Sequence, residues 1–97
     1  MFRARTRYCG RIMSDSITCP CCGYKTIAED YDVCPICVWE NDPAQRHRPD
    51  ARGANADLTL RQAQINYSKF DVSDPVLKKI SRPVAEDERD PTWSPFP

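Results

Sequence analysis

The alternation of apolar and polar residues predicts a short β-rich segment early in the chain. Residues 24–28 read Tyr-Lys-Thr-Ile-Ala and are rich in residues that favour strands. Residues 28–31 form the predicted loop, and residues 32–33 lead back into a cysteine pair. We therefore expect a hairpin with a cysteine-containing turn at its base, and residues 38–40 continue it in an extended conformation.

The second half of the chain predicts one main helix. Thr59 is followed by Gln62 three residues later, which is the pattern of a capping box. The apolar residues that follow share one helical face: Leu60, Ala63, Tyr67 and Phe70. We expect this face to pack against the hairpin or against Trp39.

Three other segments have weaker patterns. Asp74 and Pro75 resemble a cap followed by proline at the first helical position, and they predict a short apolar helix that ends before Pro83. Residues 41–55 contain two prolines and a glycine without periodicity, so we expect a surface connection. Residues 84–97 are charged and proline-rich, and we expect an extended tail that is either disordered or laid across the domain.

Length and composition indicate a small domain with a thin core. The chain has 97 residues and nine prolines, and its mean hydropathy is −0.66. A metal that binds only the folded state supplies stability that such a core lacks. Residues 1–13 lack the apolar run of a secretory signal. No stretch approaches the roughly 20 apolar residues that cross a bilayer. We therefore expect a cytoplasmic protein without membrane association.

Two Cys-Pro-X-Cys pairs predict a metal site. Cys19 and Cys22 form the first pair, Cys34 and Cys37 the second, and 11 residues separate them. Four thiolates bind one Zn²⁺ in a closed tetrahedron that leaves no position for water or substrate. Iron is the alternative metal, although redox-inert zinc suits a structural role better. The six cysteines of the chain could also form three disulfides, but a reducing compartment favours metal binding.

The remaining thiols and the neighbours of the site have other expected roles. Cys21 is adjacent to a ligand and cannot share its tetrahedron without strain, so it is a buried residue, a reactive thiol or a spare ligand. Cys9 is expected to be a free thiol. We expect Lys25 near the thiolates and Trp39 as an apolar lid over them.

The two cysteine turns differ in the residue that follows them. Gly23 follows the first pair, whereas Val38 follows the second. A β-branched residue is strongly disfavoured at positive φ. We therefore expect the second turn to have a different backbone shape from the first.

Charge is segregated although the formal net charge is zero. Four arginines and no acid lie in residues 1–13: Arg3, Arg5, Arg7 and Arg11. Residues 14–44 contain six acids and one base. Five of these acids form the predicted partner-binding surface: Glu29, Asp30, Asp32, Glu40 and Asp42. The favoured function is a non-enzymatic, zinc-stabilised interaction module that binds another protein. An acidic surface could neutralise a basic partner, as in an immunity-type or regulatory role.

Two other classes of function are weaker alternatives. Nucleic-acid binding would use the N-terminal arginines together with Arg46, His47, Arg48 and Arg52 for phosphate contacts. The acidic segment and the absence of a basic helix argue against it. A thiol-redox or metal-dependent enzyme is disfavoured because four cysteine ligands close the metal site. Cys9, Cys21 and His47, the one histidine of the chain, have the ligand types of a second metal site, but their spacing does not support it.

The order of the motifs resembles the bacterial cysteine-rich CPCC family over about residues 17–83. The resemblance rests on Cys-Pro-Cys-Cys-Gly-Tyr, on Cys-Pro-Ile-Cys-Val-Trp-Glu-Asn-Asp, on the later Gly-Ala-Asn and on the helix end at residues 66–70. It implies a zinc-ribbon-type domain and no particular activity. We predict a small α+β fold with a zinc-ribbon-like hairpin, two cysteine knuckles, and one main helix. Its parts are a basic arm (1–13), the domain (14–83) and a proline-rich tail (84–97).

Overall fold

The computed structural model describes residues 16–97 of the chain. Its elements are strands β1 (Ile17–Thr18) and β2 (Lys25–Ile27), helices α1 (Pro43–His47) and α2 (Leu60–Phe70), and a 3-10 helix (Pro75–Ile80). The two-stranded sheet, the helix α2 and four clustered cysteines make a small zinc-ribbon-like α+β fold, which confirms the predicted fold class. The predicted basic arm and Cys9 lie outside the described residues.

Each cysteine pair forms the tip of its own short hairpin. β1 and β2 are antiparallel, with Ile17 opposite Ile27, and the first cysteine pair connects them. Val33 lies opposite Glu40 across the second pair. The prediction that residues 24–28 pair with residues 32–33 is therefore wrong. Each cysteine turn, residues 19–22 or residues 34–37, is a knuckle. The backbone hydrogen bonds of a knuckle join the residues on its two sides, so each knuckle forms a hairpin with its own flanking residues.

Cysteines make up half of the hydrophobic core. The buried cluster consists of Cys19, Cys21, Cys22, Cys34, Cys37, Ile27, Ile36, Trp39, Leu60 and Ala63. Leu60 and Ala63 confirm the predicted inner face of α2, and Tyr67 packs against the cluster while half-buried. Phe70, assigned to the same face, is 46% exposed at the last residue of the helix. The aliphatic part of this core is too small to support the fold alone.

Capping residues define the helix ends. The Thr59 hydroxyl accepts from the N–H of Gln62 at 3.1 Å, as predicted, but the Gln62 side chain donates to Asn66 and does not complete a capping box. The helix α1 was missed within the predicted surface connection. Its Asp42 cap and Pro43 give the same signal that was recognised at the 3-10 helix. No helix within residues 16–97 is long and apolar enough to span a membrane.

A polar network organises the segment between α1 and α2. The amide of Asn55 accepts from the N–H of Glu40 at 2.9 Å and donates to its carbonyl at 3.0 Å. The same amide donates to Gln45 at 2.8 Å. Fully buried Gln45 in turn donates to the carbonyls of Ala51 and Leu58, both at 2.9 Å. These bonds replace the regular ladders that this stretch lacks.

Asp42 is the second centre of this segment. One carboxylate oxygen accepts from the N–H of Ala44 and the other from the N–H of Ala54, each at 2.8 Å. These bonds, that to Ala54 first, lower the pKa of Asp42. A Cβ at Gly53 would overlap this carboxylate, so glycine is required there for close approach.

The segment predicted as a tail lies across the domain. The N–H of Lys25 donates to the carbonyl of Glu88, and the N–H of Asp90 donates to that of Gly23, both at 2.9 Å. The ring of Trp93 lies on Gly23, where a Cβ would overlap it. Residues 88–93 therefore cover the outer side of the first knuckle.

Replacing Asp42 with alanine should lower the free energy of unfolding of the metal-loaded protein by about 2 kcal/mol. The change removes a helix cap, which contributes about 0.5–2 kcal/mol, and leaves the N–H of Ala54 without its partner. Denaturant unfolding followed by circular dichroism measures the difference. The control is Asp57→Ala. The side chain of Asp57 is 93% exposed, and its interaction is a 3.6 Å ion pair with Arg52 at the surface. It should change stability by less than about 0.5 kcal/mol, and equal losses in both variants would contradict the role of Asp42.

Candidate metal centre

Four cysteines converge on a single point inside the domain. The sulfurs of Cys19, Cys22, Cys34 and Cys37 all lie within 4.8 Å of one another, and all four residues are fully buried. The Sγ–Sγ distance is 3.6 Å between Cys19 and Cys37 and 3.8 Å between Cys22 and Cys34. A tetrahedron with metal–sulfur bonds of about 2.3 Å has edges of about 3.8 Å. The four sulfurs are therefore arranged to hold a tetrahedral metal ion.

The two cysteine pairs share the same backbone hydrogen bonds. The N–H of Gly23 donates to the carbonyl of Cys19 at 2.9 Å, and that of Val38 donates to Cys34 at 2.8 Å. In each pair the first cysteine also donates to the carbonyl five residues later, at 2.8 Å and 3.0 Å. The two pairs therefore form the same knuckle structure, and the two thiols of each knuckle face the two thiols of the other.

Val38 adopts a positive φ, which is strongly disfavoured for a β-branched residue. Its φ is 65°, close to the 85° of Gly23 at the equivalent position. The predicted difference in backbone shape is therefore wrong. A β-branched residue in the left-handed region is a strained outlier, with a cost of about 1–3 kcal/mol. The four-sulfur arrangement fixes the shape of the knuckle and overrides the local preference of valine.

The thiols do not share one protonation behaviour. Burial raises the pKa of Cys19 and of Cys37. Hydrogen bonds from Cys19, Cys22 and Cys37, and then from the hydroxyl of Thr26, lower the pKa of Cys34 well below its usual value. The Thr26 hydroxyl donates to Cys34 Sγ at 3.0 Å. Of these three thiols, the protein alone thus favours the thiolate of Cys34, and a bound divalent cation would supply the charge that allows Cys19 and Cys37 to ionise.

The predicted neighbours of the site differ in their placement. Trp39 is fully buried in the cluster with the cysteines, and its indole N–H has no hydrogen-bond partner among the described residues. Lys25 forms an ion pair with Glu88 at 3.7 Å. Cys21 is buried in the same core but is not one of the four clustered sulfurs. No local pattern identifies Thr26, because its contact depends on how the two knuckles meet.

The structure divides the five acids of the predicted partner-binding surface. Glu29 and Asp30 are exposed. The carboxylate of Asp32 accepts from two backbone N–H groups of its own loop, at 2.8 Å and 3.1 Å. Asp42 is buried as a helix cap, and Glu40 is half-buried. Glu29 and Asp30 are thus the acids of this set that present their side chains fully to solvent.

The basic residues considered for phosphate contacts are likewise divided. Arg46 is half-buried and donates to the side chain of Asn41 at 2.6 Å. His47 and Arg48 are exposed at the end of α1. Arg52 is exposed and paired with an aspartate. The N-terminal arginines lie outside the described part of the chain.

Replacing any one of the four clustered cysteines with alanine should abolish stoichiometric metal binding and cooperative folding. Three thiolates leave one coordination position open, and the core depends on the closed site. Cys21→Ala is the matched control, since it removes a fifth buried sulfur and leaves the four-sulfur cluster intact. Metal content by mass spectrometry and thermal unfolding by circular dichroism measure both effects. Loss of metal in Cys21→Ala would show that the ligand assignment is wrong.

Val38→Gly should stabilise the metal-loaded domain by about 1 kcal/mol. Relief of about 1–3 kcal/mol of backbone strain exceeds the flexibility that glycine adds to the unfolded chain, about 0.5–1 kcal/mol. The measurement is the midpoint of denaturant unfolding at saturating metal. Gly23→Val, the reverse change in the equivalent knuckle, should be strongly destabilising because its side chain would overlap Trp93. A less stable Val38→Gly would show that packing of the valine outweighs its strain.

Comparison with known proteins identifies the family of this chain. No curated protein is significantly similar to the chain. A family model described as "Cysteine-rich CPCC" matches residues 17–88, which include both knuckles, both α-helices and the 3-10 helix. The match covers well over half of the 97 residues. The chain therefore belongs to the cysteine-rich CPCC family.

Proposed function

We propose that this protein is a non-enzymatic interaction module, folded around one zinc ion, that binds a basic protein partner. The observation that carries the proposal is the closed geometry of the four cysteines, each with 0% of its surface exposed. A catalytic metal needs an open position for water or substrate, and four protein ligands fill a tetrahedron. The metal therefore has a structural role, and the surface of the domain carries the function.

Zinc is the metal that best fits this role. The Sγ–Sγ distances of 3.6 Å and 3.8 Å match a Zn–S tetrahedron. Zinc has no redox chemistry that would oxidise its ligands, whereas iron would make the domain sensitive to oxygen. A site of four thiolates requires reduced cysteines, so the proposal includes a reducing compartment such as the cytoplasm.

The recognition surface in this proposal is the acidic loop, residues 29–33, which connects the first cysteine hairpin to the second. It exposes Glu29, Asp30 and the side chain of Tyr31, which is 55% accessible. Hydrogen bonds hold the loop in place. The N–H of Tyr31 donates to the carbonyl of Asn41 at 2.7 Å, and the carboxylate of Asp32 accepts from the N–H of Ala28 across the turn. A preorganised loop loses little entropy on binding, and its charge attracts a basic partner, as an immunity-type or regulatory protein requires.

The alternative functions have less support from the described residues. Of the basic residues considered for nucleic-acid binding, Arg46 already has a side-chain partner and Arg52 an acidic one. A metal-dependent enzyme would need His47, which is exposed on α1, to act beside an open coordination position on the metal. The four clustered cysteines leave no such position.

Cobalt substitution tests the structural role of the metal. The Co²⁺-loaded protein should show the intense charge-transfer absorption of a four-sulfur tetrahedral site, and excess azide should leave that spectrum unchanged. Azide needs a vacant or water-occupied position, which a closed site does not offer. A spectrum that shifts with azide would establish an open coordination site and would exclude the proposed non-enzymatic role.

Affinity enrichment from the native cell tests the acidic loop. Zinc-loaded wild-type protein should retain a basic partner that elutes as salt is raised, and Glu29→Ser/Asp30→Ser should lose it. The control, Asp57→Ser/Glu86→Ser, removes two exposed carboxylates elsewhere. Equal retention by both double variants would show that the loop is not the recognition surface.

A further inference from the structure

The 3-10 helix exposes apolar side chains and buries none of its residues. Val76 is 80% exposed and Ile80 is 68% exposed, the two highest values for large hydrophobic residues in residues 16–97. A short helix of a globular protein ordinarily turns such side chains towards the core. This one presents them to solvent instead.

The second knuckle holds this helix in place at both ends. The N–H of Ser73, just before the helix, donates to the carbonyl of Cys37 at 2.7 Å. The N–H of Arg82, just after it, donates to the carbonyl of Pro35 at 3.0 Å. The carboxylate of Asp74 caps the first turn by accepting at 3.1 Å. The exposed helix is therefore fixed by the cysteine cluster and is a rigid surface.

The surface of this helix is basic as well as apolar. We call Val76, Lys78, Lys79 and Ile80 the basic apolar patch, and all four are exposed. No acid lies within the helix. Lys78 donates to the carbonyl of Phe70 at 3.0 Å, which keeps its ammonium group beside the end of α2. The patch therefore suits a partner surface that is both apolar and acidic.

The acidic loop has the complementary chemistry. Beside its two exposed carboxylates it presents Tyr31 and Val33, which are 55% and 48% exposed. Tyr31 is held at a φ of 65°, so its ring is displayed by the backbone turn and does not fold back onto the core. One chain thus carries two rigid apolar surfaces of opposite charge.

We propose that the partner of the acidic loop is a second copy of this chain, whose basic apolar patch receives it in a two-fold dimer. The inference rests on the proposed function, since it identifies the partner of the same loop. The chain has no net formal charge, so its basic apolar patch supplies the basic surface. A two-fold axis makes the loop–helix contact twice and uses both surfaces of both copies, so the assembly closes at two. Apolar contact supplies the affinity, and the two pairs of opposite charges fix the register.

Charge reversal with complementary mixing tests the dimer directly. Zinc-loaded full-length protein should sediment as a dimer that weakens as salt is raised. Lys78→Glu/Lys79→Glu should weaken dimerisation about tenfold or more, and so should Glu29→Lys/Asp30→Lys, because each variant opposes like charges at both contacts. An equimolar mixture of the two variants should form a heterodimer, seen by native mass spectrometry, because both of its contacts then join opposite charges.

Two further variants separate the interface from general effects. Arg48→Glu/Arg52→Glu reverses the same number of charges on another exposed segment and should dimerise like the wild type. Val76→Ser/Ile80→Ser should leave the thermal stability of the monomer unchanged, since both side chains are exposed there, and should weaken the dimer. Zinc content identifies any variant that does not fold.

Three outcomes would overturn the proposal. The first is a wild-type chain that stays monomeric at every concentration and salt; the proposed function would then stand or fall with the affinity enrichment of a different protein. The second is a dimer whose stability none of the loop and helix variants changes, which would locate the interface elsewhere. Homodimers in both charge variants without heterodimer formation in the mixture would likewise exclude the loop–helix contact.

Discussion

Convergence of four buried sulfurs on one point is the constraint on which the rest of this structure depends. Half of the buried core residues are cysteines, and the aliphatic residues around them are few. Without a cation, burial raises the pKa of Cys19 and of Cys37 and so disfavours their thiolates. A bound cation would turn this cost into stabilisation, because its binding free energy contributes to the free energy of folding.

The same constraint explains the strained position in the second knuckle. Local preference would give Val38 an extended backbone, yet both knuckles must present thiols with the same geometry, and Val38 adopts the left-handed conformation of Gly23. Strain of this kind persists where the surroundings determine the backbone more strongly than the residue does. Here the surroundings include the Cys37–Ser73 and Pro35–Arg82 hydrogen bonds, which attach a distant segment to the knuckle.

In the proposed function, a metal with no open coordination position leaves the surface of the domain to bind a partner. Backbone hydrogen bonds hold both the acidic loop and the 3-10 helix, and both segments expose apolar side chains outside the core. Rigidity of this kind would lower the entropic cost of the proposed association, and the opposite charges of the two surfaces would orient the partners. The cysteine cluster would then contribute to the proposed binding indirectly, by holding both surfaces in a fixed arrangement.

The sequence alone determined the features whose interactions are local. The cysteine spacing within each Cys-Pro-X-Cys pair, the Thr59 cap and the inner face of α2 all follow from contacts within a few residues. Tertiary structure decided the partner of β2, the shape of the second knuckle and the position of the tail. It also decided which predicted acids stay exposed, since Asp42 is buried by a loop more than ten residues away. These outcomes depend on which segments of the chain pack together around the four cysteines. The spacing of residues within one segment does not determine which other segment it contacts.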